Sequence, residues 1–187
     1  MPTVVIVRSG ETDYDSEHRV QGVLDLPLTA HGVSQVRELA AKLTPMCLEV
    51  VYCGPSEQAR QTARILAEEL GCELRVLAEL ANLNQGLWQG LRVEEIRRKY
   101  PRLFKQWRDR PDVVCPPSGE TSDEAVARIH RALARPLRRK HRFAIVASEP
   151  LATILVCELQ HRPVDFSRLY SENGSAVPFQ VIECTGD

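Results

Sequence analysis

Long apolar runs, metal-binding patterns and a strong net charge are all missing from this sequence of 187 residues. No apolar run approaches the roughly 18 residues that a membrane span requires. The net charge is only -1, so no overall field would attract nucleic acid or an anionic membrane. The sequence therefore predicts a protein with neither a nucleic-acid nor a membrane partner.

Cysteine and histidine are present, but they are not spaced for chemistry that depends on them. The chain has no Cys-x-x-Cys pair, and its five histidines show no metal-like spacing. We interpret the cysteines as reduced, mostly buried thiols, and we expect no metal and no cofactor. No pattern typical of a secretory signal follows Met1, so the expected location is the cytoplasm. The six cysteines are Cys47, Cys53, Cys72, Cys115, Cys157 and Cys184.

The alternation of apolar runs indicates the fold class. Short runs rich in Val and Ile alternate with longer helical patterns, which is typical of an α/β fold with a mostly parallel sheet. We predict a three-layer α/β/α sandwich that forms a single domain over residues 1–187. The predicted strands lie near 3–8, 49–53, 73–77, 142–147 and 176–182, and the predicted helices near 30–43, 56–70, 92–108, 122–140 and 150–160.

Hydroxyl side chains stand just before three of these helical patterns. Thr29 and Ser56 are predicted N-caps of the first two helices, and Thr121 or Ser122 that of the long helix. Each is followed by apolar residues at helical spacing. These positions predict where the helices begin.

The segment from 91 to 117 departs from the regular alternation. Between Arg92 and Arg110 it holds eight Arg or Lys against three acids, which gives a local charge of +5. Aromatic residues supply an apolar stripe, and a proline interrupts the helix. We predict a helical cap over one edge of the sheet, able to attract an anionic ligand or partner. The residues concerned are Tyr100, Pro101, Phe104 and Trp107.

The end of the first predicted strand is the most informative stretch for function. The apolar residues 4–7 lead directly into Arg8, Ser9 and a Gly-Glu-Thr turn. An α/β protein delivers polar side chains to the carboxyl edge of its sheet in this way. The sequence therefore predicts a site at that edge.

This loop resembles the opening Arg-His-Gly-Glu-Thr of the histidine phosphatase superfamily, the phosphoglycerate mutase-like proteins. Further similarities follow in order from residue 4 to about residue 182. The resemblance implies the phosphoglycerate mutase-like fold, and phosphomonoester hydrolysis or phosphomutase chemistry through a phosphohistidine. The similar segments are 19–22, 25–29 with Gly32, 51–63, 86–90, 119–121, 146–150 and 173–175.

The resemblance also implies five catalytic groups. They are a nucleophilic histidine, two arginines and a second histidine that hold the phosphoryl group, and an acid that protonates the leaving oxygen. Of these, only the first arginine is present, as Arg8. The other matching positions hold Ser9 for the nucleophile, Gln58 for the second arginine, Asn82 for the acid and Glu149 for the second histidine.

Each replacement removes part of that chemistry. A serine hydroxyl is a weak nucleophile unless a base or metal activates it, and Asn82 has no acidic proton to give. Gln58 carries no charge, and Glu149 places a negative charge where a phosphate oxygen would lie. A unit-charge pair at about 5 Å is worth roughly 3 kcal/mol at an effective dielectric near 20, so the two charge losses weaken phosphate binding on the order of a hundredfold. The sequence thus excludes ordinary transfer through phosphohistidine.

These losses predict a catalytically degenerate protein of the histidine phosphatase fold, a pseudophosphatase with a binding or regulatory role. The alternative is a phosphatase or phosphoglycerate mutase-like enzyme with a rearranged site that uses Ser9 and Glu149, with or without a metal. A third alternative is a decayed copy that retains no ligand. Fold alone does not choose among the three.

Arg8 is expected to pair with Glu149, because an unpaired Arg and Glu in one cleft would each be costly to bury. Their charged groups should then lie within salt-bridge distance. Cys53 is a conceivable thiol nucleophile, but we expect it to be a buried strand residue. The expected ligand is a protein partner or an anionic small molecule. The candidate ligand-binding residues are Arg8, Thr12, Arg19, Gln21 and Arg60.

Overall fold

The computed structural model describes residues 3–139, 141–169 and 178–183. Five strands lie in these ranges: β1 (Thr3–Arg8), β2 (Val50–Cys53), β3 (Glu73–Val76), β4 (Phe143–Ala147) and β5 (Phe179–Glu183). They form one sheet in the order β3-β2-β4-β1-β5. Neighbouring strands are parallel except for β1 and β5, which are antiparallel. The predicted, mostly parallel sheet is confirmed.

Seven α-helices occur in the described part of the chain. None of them is both long and apolar enough to cross a membrane. Short 3-10 turns lie at Thr44–Met46, Ala78–Leu80 and Gly86–Trp88. The helices are α1 (Asp13–Ser16), α2 (Ala30–Leu43), α3 (Glu57–Leu70), α4 (Val93–Lys99), α5 (Pro101–Asp109), α6 (Ser122–Arg138) and α7 (Leu151–Leu159).

The central strands β1, β2 and β4 are buried on both faces, which accounts for their nearly continuous apolar runs. In β1, Val4 and Ile6 belong to a core shared with α6 and α7. Val5 and Val7 point to the other face, into a core shared with α2 and α3. The sheet is therefore the middle layer of the predicted α/β/α sandwich.

The basic segment forms two helices, since Tyr100 ends α4 and Pro101 begins α5. A residue before proline is disfavoured in the α conformation, whereas proline suits the first turn of a helix. Tyr100 has φ −130° and ψ 51°, outside the helical region. The single helix predicted near 92–108 is therefore two helices, α4 and α5, which meet at Tyr100.

An aromatic cluster anchors α5 to the core. Trp107 is 1% exposed, and its ring centroid lies 5.0 Å from that of Phe166 and 5.6 Å from that of Trp88. Phe104 completes the cluster at 5.9 Å from both tryptophans. Because these rings share the core of β1 and α6, the outer surface of α5 rests on a rigid base.

The predicted N-cap positions are correct for all three helices, but the Ser56 side chain lacks the capping hydrogen bond. The Thr29 hydroxyl accepts a hydrogen bond from the Gly32 N–H at 2.9 Å. Ser56 precedes α3 but makes no capping hydrogen bond with its side chain. The Glu57 N–H instead donates to the Asp25 carboxylate at 3.0 Å, so a neighbouring loop caps this helix. Sequence spacing alone does not reveal such a cap.

Thr121 caps α6 through a reciprocal pair of hydrogen bonds with Glu124. We expect Thr121→Ala to lower the free energy of unfolding by about 1 kcal/mol, because the cap is lost. Urea denaturation of the variant would measure this. Ser34→Ala, at an exposed position inside α2, is the matched control and should be close to neutral. Equal effects of the two changes would contradict the capping role.

Candidate functional site

The predicted site forms where β1 and β4 end side by side. The strands are parallel with Arg8 opposite Ala147, and the Ser9 N–H donates to the Ala147 carbonyl at 3.1 Å. The loops that follow both strands therefore meet at the carboxyl edge of the sheet. Between them lies a cleft of about 60 Å³. It is lined by Arg8, Ser9, Asp15, Arg19, Gln21, Ser148 and Glu149.

Arg8 and Glu149 form the ion pair that the sequence predicts. The Arg8 Nε lies 3.3 Å from the Glu149 Oε1, and the two side chains are 29% and 16% exposed. The Nε makes no hydrogen bond of good geometry, so the contact is mainly electrostatic. The first arginine of the family is thus partnered within the protein.

The other oxygen of Glu149 is also partnered. Its Oε2 accepts hydrogen bonds from the N–H of Thr153 at 3.1 Å and from the Thr153 hydroxyl at 2.8 Å. These groups lie in the first turn of α7, where the N-terminal end of a helix favours an anion. Glu149 therefore occupies the surroundings that would otherwise attract an external phosphate: a helix N-terminus and an arginine.

The Ser9 hydroxyl has another hydroxyl as its partner. Its Oγ lies 2.6 Å from the Oγ of Ser148. Among the residues that line the cleft there is no histidine. Glu149 is engaged by Arg8 and Thr153, so it is poorly placed to take a proton from serine.

Gln58 and Asn82 do not line the cleft. Gln58 is fully buried; its amide donates to the Leu24 carbonyl at 3.1 Å and accepts from the Leu26 N–H at 3.2 Å. It also contacts the Gln21 side chain at 3.5 Å. An amide can both donate and accept, which an arginine cannot do. Gln58 is therefore a cross-link that holds the 21–26 loop.

Asn82 also cross-links loops, through both ends of its amide. Its amide nitrogen donates to the carbonyls of Gly22 at 2.9 Å and of Glu149 at 3.0 Å. Its Oδ1 accepts from the N–H groups of Leu83 and Leu151. A carboxylate at this position could not donate to either carbonyl. Asn82 thus joins the loop before α7 to two other segments.

The remaining candidates fall into two groups. Arg19 and Gln21 line the cleft, but Arg19 is paired with Glu17 at 2.5 Å and donates to the Gly90 carbonyl at 2.8 Å. The hydrogen bond from Arg19 lowers the pKa of the Glu17 carboxyl. Thr12 is fully buried and accepts from the Gln21 amide at 3.0 Å. Arg60 is exposed and does not reach the cleft lining.

Asp15 lines the cleft, and sequence reasoning missed it. Its carboxylate accepts from the Thr12 N–H and hydroxyl, each at 2.8 Å, as the second half of a capping box around α1. The Thr-x-x-Asp spacing of Thr12 and Asp15 is typical of a capping box, so the sequence could have predicted this contact. With Asp15 included, the lining carries two arginines and two carboxylates, so its formal charge is zero.

The cysteines give little support to thiol or metal chemistry. Cys53 is fully buried, and burial raises the pKa of its thiol to about 11, so the thiol stays protonated near neutral pH. Of the other described cysteines, Cys157 is buried, Cys72 and Cys115 are partly exposed and Cys47 is exposed, so the expectation of mostly buried thiols is only partly met. Cys184 lies outside the described residues. No group of three metal-ligating side chains occurs among the residues described.

The sequence model of the histidine phosphatase superfamily, branch 1, matches residues 4–186 of this chain. The chain therefore belongs to that family. Phosphoserine phosphatase 1 of Hydrogenobacter thermophilus is 28% identical over 185 residues, covering 97% of this chain and 86% of that protein. A probable phosphoglycerate mutase, GpmB, of Enterobacter sp. strain 638 is 29% identical over 201 residues, covering 100% and 94%. The family predicted from the motifs is confirmed.

Solved structures agree with the fold. Bacillus stearothermophilus YhfR superposes with a TM-score of 0.82 at 25% identity and covers 100% of this chain and 93% of its own. A mycobacterial glucosyl-3-phosphoglycerate phosphatase superposes with a TM-score of 0.80 at 27% identity. The match covers 88% of this chain and 83% of the phosphatase chain. The α/β class and the phosphoglycerate mutase-like architecture are therefore confirmed. The similar segment at 173–175 lies outside the described residues.

Proposed function

We propose that this chain is a catalytically degenerate member of its family and acts by binding rather than by phosphoryl transfer. The observation that carries the proposal is the position of the Glu149 carboxylate. It lies between Arg8 and the first turn of α7, where it is held by an ion pair at 3.3 Å and two hydrogen bonds. A phosphoryl group would have to displace this internal anion or lie against it.

The other replacements support the same conclusion. The two carboxylates of the cleft lining are engaged elsewhere, Asp15 by Thr12 and Glu149 by Arg8, and the Ser9 Oγ faces another hydroxyl. Gln58 and Asn82 are engaged in cross-links between loops and carry neither the charge nor the acidic proton of the family residues. The nucleophile, the clamp and the acid are all missing together.

The proposed binding role is toward a protein partner or an anionic small molecule, in a cytoplasmic protein. An anion would not be expected in the cleft, because both of its arginines are paired with carboxylates. The basic segment from 92 to 110 is the more suitable surface, with its local charge of +5.

A second candidate is a phosphatase or phosphoglycerate mutase-like enzyme with a rearranged site. The relatives favour it, since they are named as phosphatases and mutases, and on their names alone it stands ahead of the first candidate. In the structure, Ser9 is at the cleft with Glu149 nearby. For Ser9 to attack phosphorus, Glu149 would first have to leave Arg8 and accept the hydroxyl proton.

Phosphatase assays decide between the two candidates. We expect purified protein to show no turnover of p-nitrophenyl phosphate, phosphoserine or phosphoglycerate above that of a Ser9→Ala variant, with or without divalent metal ions. Phosphate release measured over hours would detect slow activity. Turnover that vanishes in Ser9→Ala would establish the second candidate. Equal turnover by both proteins would come from a contaminant or from a site that does not use Ser9. Repeat purification over a second column distinguishes the two, because only the activity of a contaminant would be removed.

A further inference from the structure

The cleft at the carboxyl edge of the sheet has balanced charges, yet it keeps polar groups that a ligand can reach. Both of its arginines are paired with carboxylates, Arg8 with Glu149 and Arg19 with Glu17. An anion would therefore gain little from either arginine. The remaining donors and acceptors of the lining decide which ligand fits.

Arg8 supplies accessible donors. Its side chain is 29% exposed, and its Nε is the buried nitrogen that makes no hydrogen bond. The terminal nitrogens Nη1 and Nη2 also have no hydrogen-bond partner in the described part of the chain, and they are not among its buried atoms. Because Glu149 already offsets the charge of Arg8, these N–H groups suit a neutral oxygen acceptor such as a hydroxyl.

Asp15 supplies an accessible acceptor. Its Oδ2 is held by the N–H and hydroxyl of Thr12, each at 2.8 Å. Its Oδ1 has no hydrogen-bond partner among the described residues, and the residue is exposed. The partners of Oδ2 are neutral, and within the described ranges Asp15 forms no ion pair. The carboxylate would therefore repel a phosphate but accept strongly from a hydroxyl.

The two serines of the lining add one more donor. The Oγ atoms of Ser9 and Ser148 lie 2.6 Å apart, so one hydroxyl donates to the other. A hydroxyl has one donor and two lone pairs, so the accepting serine keeps its own O–H for a ligand. The cleft thus presents N–H and O–H donors beside carboxylate and hydroxyl acceptors.

This mixture matches a ligand that has no net charge and whose groups both donate and accept. Sugar and polyol hydroxyls do both, whereas a phosphate dianion only accepts and an ammonium group only donates. A phosphate would also lie against two carboxylates, Asp15 and Glu149. The cleft volume of about 60 Å³ is roughly four times that of one water-sized probe, which leaves room for a few neighbouring hydroxyl groups.

We propose that the cleft binds a neutral sugar or polyol, whose hydroxyl groups donate to Asp15 and accept from Arg8. This assignment rests on the proposed function, because an active phosphatase would have to favour the phosphate ester at the same place. It gives the cleft a ligand class of its own, whereas the proposed function directs anionic ligands to the basic segment from 92 to 110.

NMR titration of the ¹⁵N-labelled protein tests the proposal with pairs of ligands. The neutral probes are glycerol, erythritol, ribose, glucose and inositol, and each is compared with its own phosphate ester. We expect at least one neutral probe to bind with a Kd of about 10 mM or tighter, and its phosphate ester to bind about tenfold more weakly. The amide signals that shift should include those of Ser9 and Asp15.

Asp15→Asn distinguishes a binding role from a structural one. Asparagine keeps an oxygen for the Thr12 cap but loses the charge of the accessible acceptor, so the affinity for the neutral probe should fall about fivefold. The affinity for its phosphate ester should rise, because a negative charge is removed. Asp13→Asn, at an exposed position of α1 outside the lining, is the matched control and should change both affinities less than twofold.

Ser9→Ala is a second variant that leaves the Thr12 cap untouched. It removes one hydroxyl of the lining and should weaken binding of the neutral probe about fivefold. Ser34→Ala, at an exposed position of α2, is its control and should have no effect on binding. Circular dichroism and thermal melting establish that each variant is folded.

Three results would overturn the proposal. One is that no neutral probe binds, and another is that the phosphate ester binds the wild type as tightly as the neutral probe. The third is that Asp15→Asn weakens both ligands equally, as a collapsed cleft would. Absence of neutral binding together with absence of phosphatase turnover removes this proposal alone. Turnover that depends on Ser9 removes the proposed function, so the two failures are distinguishable.

Discussion

Replacing Glu149 with glutamine is expected to increase the affinity of the cleft for inorganic phosphate about tenfold. The change removes the negative charge beside Arg8 while keeping an oxygen that can accept from Thr153. A charge pair at about 5 Å is worth roughly 3 kcal/mol at an effective dielectric near 20, and we halve this because the cleft is partly exposed to solvent. Arg8 then becomes free to hold the anion.

Isothermal titration of the wild-type and Glu149→Gln proteins with phosphate measures this effect. Glu158→Gln is the matched control, because it removes the same charge from the other end of α7, where Glu158 pairs with His130. That control should leave phosphate affinity within twofold of the wild type. Unchanged affinity in Glu149→Gln would show that the carboxylate does not compete for the anion site, and the binding-only proposal would lose its main support.

Replacing Arg128 with methionine is expected to lower the free energy of unfolding by about 3 kcal/mol. Arg128 is 15% exposed in its side chain and forms two hydrogen bonds with the Glu120 carboxylate, at 2.8 and 3.1 Å. It also donates to the carbonyls of Glu79 at 2.6 Å and Asn82 at 3.2 Å. Methionine keeps the packing but leaves Glu120 as an unpaired, largely buried charge.

Urea denaturation provides the measurement. Arg75→Met is the control, because Arg75 pairs with Glu73 at the exposed edge strand β3, and its replacement should be much less destabilising. The double variant Arg128→Met, Glu120→Gln should recover part of the loss, since the unpaired charge is gone. If Arg128→Met is no more destabilising than Arg75→Met, the network does not hold the segment that carries Asn82.

The replaced residues of the site contact one another, which bears on the alternative of a decayed copy. Asn82 donates to the backbone of Glu149, and the side chain of Glu149 pairs with Arg8. Gln58 holds the 21–26 loop through both ends of its amide. Random loss of catalytic groups would leave buried polar atoms without partners, which is costly. The Arg8 Nε makes no hydrogen bond, but the satisfied amides of Gln58 and Asn82 favour a site that retains an ordered structure.

The fold followed from sequence because its signals are local. The apolar runs of β1, β2 and β4 predicted their positions within about one residue, since strands buried on both faces show a nearly continuous pattern. Helix α2 spans the predicted 30–43. The predicted strand near 176–182 appears as β5, from Phe179, with its first residues outside those described.

Part of the site was predictable for the same reason. Parallel neighbouring strands bring their carboxyl ends together, so Arg8 and Glu149 had to lie close once β1 and β4 were paired. Opposite charges at that edge then favour an ion pair. The directions of Gln58, Asn82 and Arg60 were not predictable, because they depend on contacts with loops remote in sequence.

The sequence by itself determined the family and the layers of the fold, and it predicted four replaced catalytic groups, because each depends on residue types in a fixed order along the chain. Only the tertiary structure decided what Glu149 does. Its carboxylate pairs with Arg8 and binds the first turn of α7, two partners that lie 141 and 4 residues away in the chain. Whether a carboxylate in the sequence repels a phosphate or takes its place depends on the charged and hydrogen-bonding groups that lie next to it in the folded chain.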